Sequence, residues 1–150
     1  MKQPSFWSLV LADITDPDYT HVCIDVLPAH ATADPAAWAR RLLSAAALPR
    51  WLAGVLSLRA LLTGRSLRCD ALRVRHVEGD EALVAVDGRR FDVRIGIGVD
   101  EEMALVRVVT ALRFKGAGVQ LMSLPVRAAL PFLMRGMIAR TRRALSGVTL

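Results

Sequence analysis

Lysine, cysteine and aromatic residues are scarce in this sequence, and each scarcity removes a class of function. Of 20 basic residues only Lys2 and Lys115 are lysine, so the formal net charge of +6 is an arginine charge. The arginines are spread over nearly every segment, and aromatic residues make up only 5% of the chain. Nucleic-acid binders concentrate basic charge on one patch and often set aromatics beside it, so no nucleic-acid partner is expected. The densest cluster, Arg135, Arg140, Arg142 and Arg143, reads as favourable charge near a helix C-terminus. Arginine in place of lysine, amid abundant Ala, Leu and Val, resembles the coding bias of a GC-rich bacterium. Cys23 and Cys69 form no Cys-x-x-Cys and no disulfide framework, and are expected as small buried residues. No run reaches the roughly 18 uncharged apolar residues of a transmembrane helix. The nearest candidate, Val119 to Met134, is broken by Pro125, Arg127 and Pro131. The apolar stretch from Phe6 to Ala12 lacks a long hydrophobic region with a small-residue cleavage site, so a cytoplasmic protein without a signal peptide is expected.

What is present is apolar bulk: 53% of the 150 residues are hydrophobic and 23% are charged. That composition excludes disorder and suits one domain with a sizeable core, expected over about residues 18–145. Tyr19 to Leu27 reads as a strand, with Val22, Ile24 and Val26 alternating against His21, Cys23 and Asp25. Asp34 or Thr32, followed by Pro35, opens a helix to Ala47 whose apolar stripe is Trp38, Leu42, Leu43 and Ala46. Leu48-Pro49 interrupts, and Arg50–Leu62 is a second, mostly apolar helix. Five β-like runs follow: Ala71–Glu78, Ala82–Val86, Phe91–Val99, Ala104–Phe114 and about Val119–Leu124. Their joints carry turn residues, Asp87-Gly88 among them, and connections this short force neighbouring strands antiparallel. Pro125 then starts a long helix, Val126–Ser146, with Leu130, Leu133, Met134, Met137, Ile138 and Leu145 along one side.

The expected fold class is therefore α+β: a strand, two short helices, an antiparallel five-strand meander and a long C-terminal helix covering the sheet. That order is similar to the helix-grip fold of the START-like (SRPBCC) superfamily. Trp38-Ala39-Arg40-Arg41-Leu42-Leu43, Leu48-Pro49-Arg50-Trp51, Leu58-Arg59-Ala60-Leu61-Leu62, Phe91-Asp92-Val93-Arg94-Ile95 and Pro125-Val126-Arg127 resemble the bacterial domain of unknown function 2867 family. The resemblance spans roughly Tyr19 to Arg143. It departs where the family typically carries histidines and this chain has Arg90 and Leu130. No biochemical activity attaches to the family, so the resemblance implies a fold and a pocket.

Catalytic motifs are absent from the sequence. The three histidines, His21, His30 and His76, stand in no metal-ligand spacing, so neither metal nor cofactor is expected; His21 with His76, assembled through the fold, is the metal alternative. Gly96-Ile97-Gly98 lies inside a β-period run and marks a bend or a close approach rather than a dinucleotide motif. Asp92 and Arg94 share one face of the middle strand. Facing the concave side they would orient a ligand or transfer a proton; facing the convex side they would be cross-strand charge pairs. Arg59 interrupts the apolar second helix as a snorkelling cation or as a partner of Asp92.

The function expected is binding of a hydrophobic small molecule, lipid or polyketide-like, between the curved sheet and the last helix. Trp38, Trp51, Arg59, Asp92, Arg94, Met134 and Met137 are its candidate ligand-binding residues. A cyclase- or hydrolase-like enzyme using Asp92 and Arg94 is one alternative. A peripheral membrane or protein-interaction module is another, and a homodimer through an exposed sheet face is compatible with each.

Overall fold

A computed structural model describes residues 8–44, 47–50, 73–88 and 90–147. In chain order the elements are α1 (Leu9–Asp13), β1 (Tyr19–Val26), α2 (Pro35–Leu42), β2 (Val74–Glu78), β3 (Glu81–Asp87), β4 (Phe91–Asp100), β5 (Leu105–Phe114) and α3 (Ala117–Leu145). The five strands make one antiparallel sheet in the order β1-β5-β4-β3-β2. This is the α+β layout expected, with a long C-terminal helix over a five-strand sheet. The fifth strand is β1, which pairs with β5; residues 119–124, expected as a strand, are the first turns of α3. A period-2 reading of a short apolar run does not distinguish strand from buried helix. The expected helix over Arg50–Leu62 falls almost wholly outside the described residues.

Local chemistry sets the boundaries. Asp34 caps α2, its Oδ1 accepting from Ala36 N at 3.0 Å, and Pro35 occupies the first turn. Gly79, at φ +60°, makes the β2–β3 turn, and Gly88 N donates to Phe91 O at 3.0 Å between β3 and β4. Pro125 and Pro131 both lie inside α3. Proline has no N–H, so Pro131 leaves the carbonyl of Arg127 without its helical donor. Tyr19 Oη donates to that oxygen at 3.4 Å, which fastens the helix to the start of β1.

The sheet is covered on both faces. The inner face carries Ile95, Ile97 and Val99 of β4 and Val106, Val108 and Leu112 of β5, packed against Trp38 and Leu42 of α2 and Leu130, Met134, Met137 and Ile138 of α3. On the outer face α1 packs Leu9 and Val10 on Leu83, Val109 and Ala111. β1 inverts the usual distribution. Its Cys23 is buried on the inner face, whereas Val22, Ile24 and Val26 point to the outer face beyond the reach of α1 and are 40%, 57% and 56% exposed.

Candidate functional site

Register fixes the face that Asp92 and Arg94 occupy. Gly96 pairs with Leu83 and Val109, which α1 covers, so Asp92, Arg94, Gly96 and Gly98 all point outward, away from α3. Asp92 is 1% exposed and lies between two cations: Arg113 Nη2 is 2.9 Å from Oδ2 and Lys115 Nζ 2.8 Å from Oδ1. Lys115 and then Arg113 hold its carboxyl below the usual aspartate value, against the opposing effect of burial. Burial alone would lower the Arg94 guanidinium, but its bonds to Asp87 (2.8 Å) and Asp13 outweigh this and raise it. Both side chains are thus held as ions in cross-element pairs, the charge pairing expected for the face directed away from α3.

Farther along the same face Glu81 is wholly buried. It accepts from Ser8 Oγ at 2.5 Å and Leu9 N at 3.3 Å, with Arg107 Nη2 at 3.3 Å. Glu81 and Arg94 therefore grip the two ends of α1. Alternation in the sequence placed Asp92 and Arg94 on one face; a five-residue helix was too short to announce which face it would cover.

Trp38, Met134 and Met137 lie in the inner core instead. The Trp38 indole Nε1 donates to Thr32 O at 2.7 Å, and both methionines are buried against the sheet. Trp51 and Arg59 lie outside the described residues. The five described candidates accordingly divide between opposite faces of the sheet and do not form one site. In the described part of the sheet–helix interface, where the cavity was expected, Trp38, Met134 and Met137 pack into the inner core.

An open groove lies instead along the flank of α3. It encloses about 860 Å³ and is walled by Val126, Ala129, Leu130, Phe132, Leu133 and Gly136 on the helix and by Pro49 and Arg50 opposite. Arg140 stands at its C-terminal end, and its Nη1 donates to Ala47 O at 3.3 Å, which holds the two walls in register. Phe132 is 76% exposed. Its described lining is apolar apart from Arg50 and Arg140, chemistry suited to a hydrophobic body with an anionic group. The signal for it was in the sequence: Val126, Ala129 and Phe132 extend the apolar surface of α3 beyond the stripe that meets the sheet.

His21 and His76 sit on β1 and β2, the two edge strands, with three strands between them, roughly 19 Å at the usual strand spacing. Among the described residues no group of three or more His, Cys, Asp or Glu could hold a metal ion, and no helix is long and apolar enough to cross a membrane. Compared with known proteins, the chain matches no family model, and no curated protein or solved structure is significantly similar to it.

Proposed function

We propose that this chain is a START-like binding protein for a hydrophobic small molecule, lipid or polyketide-like, that carries an anionic group. The observation that supports the reading is the groove beside α3, about 860 Å³ and predominantly apolar. That volume falls in the range of ordinary ligand sites, and burial of apolar surface would supply most of the affinity. Arg50 and Arg140 would fix the orientation of a carboxylate, sulfonate or phosphate.

The test uses 8-anilinonaphthalene-1-sulfonate, an aromatic body with one anionic group, followed by fluorescence titration. Saturable binding is expected, weakened about tenfold or more in Leu133→Asp, because a buried charge opposes apolar burial. Native mass spectrometry of the purified chain should in addition detect a co-purified organic acid or lipid. Binding unchanged in Leu133→Asp, with no co-purified molecule, overturns the proposal.

One observation favours a second reading. Leu124, Val126 and Phe132 are exposed on a helix that also carries Arg135, Arg142 and Arg143, a pattern compatible with an anionic membrane surface. Salt-sensitive sedimentation with phosphatidylserine vesicles supports that reading, and no sedimentation at any ionic strength eliminates it.

A further inference from the structure

The two edges of the sheet are built differently. β2 is five residues long, its register shifts between Val74 and His76, and it exposes Arg75, His76 and Glu78. Short length, irregular register and charge are the features that keep an edge from pairing with another chain. β1 differs in length and register: it is eight residues long, pairs with β5 in unbroken register, contains neither proline nor lysine, and its one carboxylate, Asp25, is paired with Arg142. Among the described residues no strand lies beyond it.

The direction of its backbone groups follows from one bond. Leu27 N donates to Ala104 O at 2.8 Å, so the odd-numbered residues of β1 face β5 and the even-numbered ones face outward. Asp25 Oδ1 takes the outward N–H of Val26 at 2.7 Å, which leaves Thr20, Val22 and Ile24 to present theirs at the free edge.

The surfaces above and below this edge are of opposite character. Below it, on the outer face, are the exposed Val22, Ile24 and Val26. Above it, α3 runs alongside β1 and presents a row of arginines. Arg127 lies 5.8 Å over the Tyr19 ring, Arg135 is beside His21 and Cys23, and Arg142 Nη1 is 2.9 Å from Asp25 Oδ1. Among the described residues Asp25 is the carboxylate paired with that row, so its three arginines keep a net positive charge. Successive side chains of an added strand alternate between the two surfaces.

We propose that the free edge of β1 pairs with an extended segment of a partner protein in which apolar and acidic residues alternate. The main-chain bonds would come from Val22 and Ile24. The apolar side chains would lie beside Val22, Ile24 and Val26, and the acidic ones beneath Arg135 and Arg142. This edge is separate from the groove, and its use does not depend on the groove's ligand.

The probe is a fluorescein-labelled, end-capped peptide of about seven residues, alternating isoleucine and glutamate, followed by fluorescence anisotropy. Saturable binding is expected, at least about tenfold weaker when lysine replaces glutamate, and absent when the amides on the pairing side are N-methylated. Arg135→Glu should reverse the preference between the two peptides. Ile24→Pro should abolish binding while leaving the far-ultraviolet circular dichroism unchanged, because the N–H it removes points away from the sheet. Equal binding of the glutamate and lysine peptides, or no binding at all, overturns the proposal. So does a homodimer in sedimentation velocity that Ile24→Pro dissociates, since a second copy would then occupy this edge.

Discussion

Gly96 is where the outer layer comes closest to the sheet. A Cβ there would collide with Glu81 Oε1 and lie 2.7 Å from Val10 Cγ2, so the side chain is absent to admit α1 and its anchor. Two residues on, the nearest atom to a Cβ at Gly98 would be Arg107 Nη2, 3.3 Å away at the end of a flexible side chain. Both glycines belong to β4 and point the same way, yet their tolerance should differ. Gly96→Ala is expected to cost about 1–3 kcal/mol, since a packed helix and a buried carboxyl must move. Gly98→Ala is expected to cost clearly less than Gly96→Ala, because the flexible Arg107 side chain can give by a few tenths of an ångström while keeping its pair with Glu81. Urea unfolding midpoints of the two variants check this, and equal destabilisation would refute the account of Gly96. Of the two meanings a glycine inside a strand can carry, the register decides: β4 pairs without a bulge on either side, so close approach is the reason at Gly96.

Among the elements, α1 does most with least length. Five residues cannot hold a helix by themselves. Its fastenings are the Ser8 cap, which accepts from Val10 N at 3.2 Å while donating to Glu81, and the Asp13–Arg94 pair at its other end. Ser8→Ala removes the cap and one partner of a buried carboxyl together, and is expected to cost about 1–2 kcal/mol. Hydrogen exchange should show the loss concentrated at Leu9 to Ala12, with the amides of β4 opening only at the global unfolding energy. A uniform change across the sheet would mean that α1 is not a separately fastened element.

This element also shows what the sequence could and could not reveal. The strands β3, β4 and β5 were legible because apolar residues alternate and turn residues separate them; α2 was legible from Asp34-Pro35 and the Trp38–Leu42 stripe. The start of α3 was not, because residues 119–124 also fit a period-2 pattern and Gly118 and Pro125 look like breaks. Nor was the outward direction of Asp92 and Arg94 legible. It depends on which face a five-residue helix covers and on partners distant in sequence, Asp13 for Arg94 and Arg113 for Asp92. The inversion of β1, with Cys23 inward and Ile24 outward, breaks the rule that the more apolar alternate set is buried. That breach is what gives the edge an apolar underside.

At the scale of the fold, His21, Asp92 and Cys23 are the described groups, Arg94 apart, whose protonation differs between the folded and unfolded chain and so shapes the dependence of stability on pH. Burial, reinforced by Arg135, lowers the His21 imidazole from its ordinary 6.5. As pH falls through that ordinary value the unfolded chain takes up a proton that the folded chain refuses, so stability declines. Asp92 is held below its ordinary 3.8 by Lys115 and Arg113. Its contribution is complete above that value and is lost as pH falls through the lower folded one, which makes a second, more acidic decline. Burial raises the Cys23 thiol above its ordinary 9.0, outweighing Arg135. Above that value the unfolded chain releases its proton first, so stability declines again as pH rises. The expected profile is a plateau from about pH 7 to about pH 8.5, a shallow acid shoulder, a steeper fall below about pH 4, and an alkaline limb. Urea unfolding midpoints across that range should show His21→Asn without the shoulder, Asp92→Asn with a flattened acidic fall, and Cys23→Ala without its part of the alkaline limb. The three variants also lose packing or hydrogen bonds, so the informative quantity is the shape of each profile and not its height. A His21→Asn profile parallel to that of the unmodified chain would place the acid shoulder elsewhere. Asp92→Asn retaining the full acidic fall would mean that the Arg113–Asp92–Lys115 cluster does not govern the acid stability of the fold.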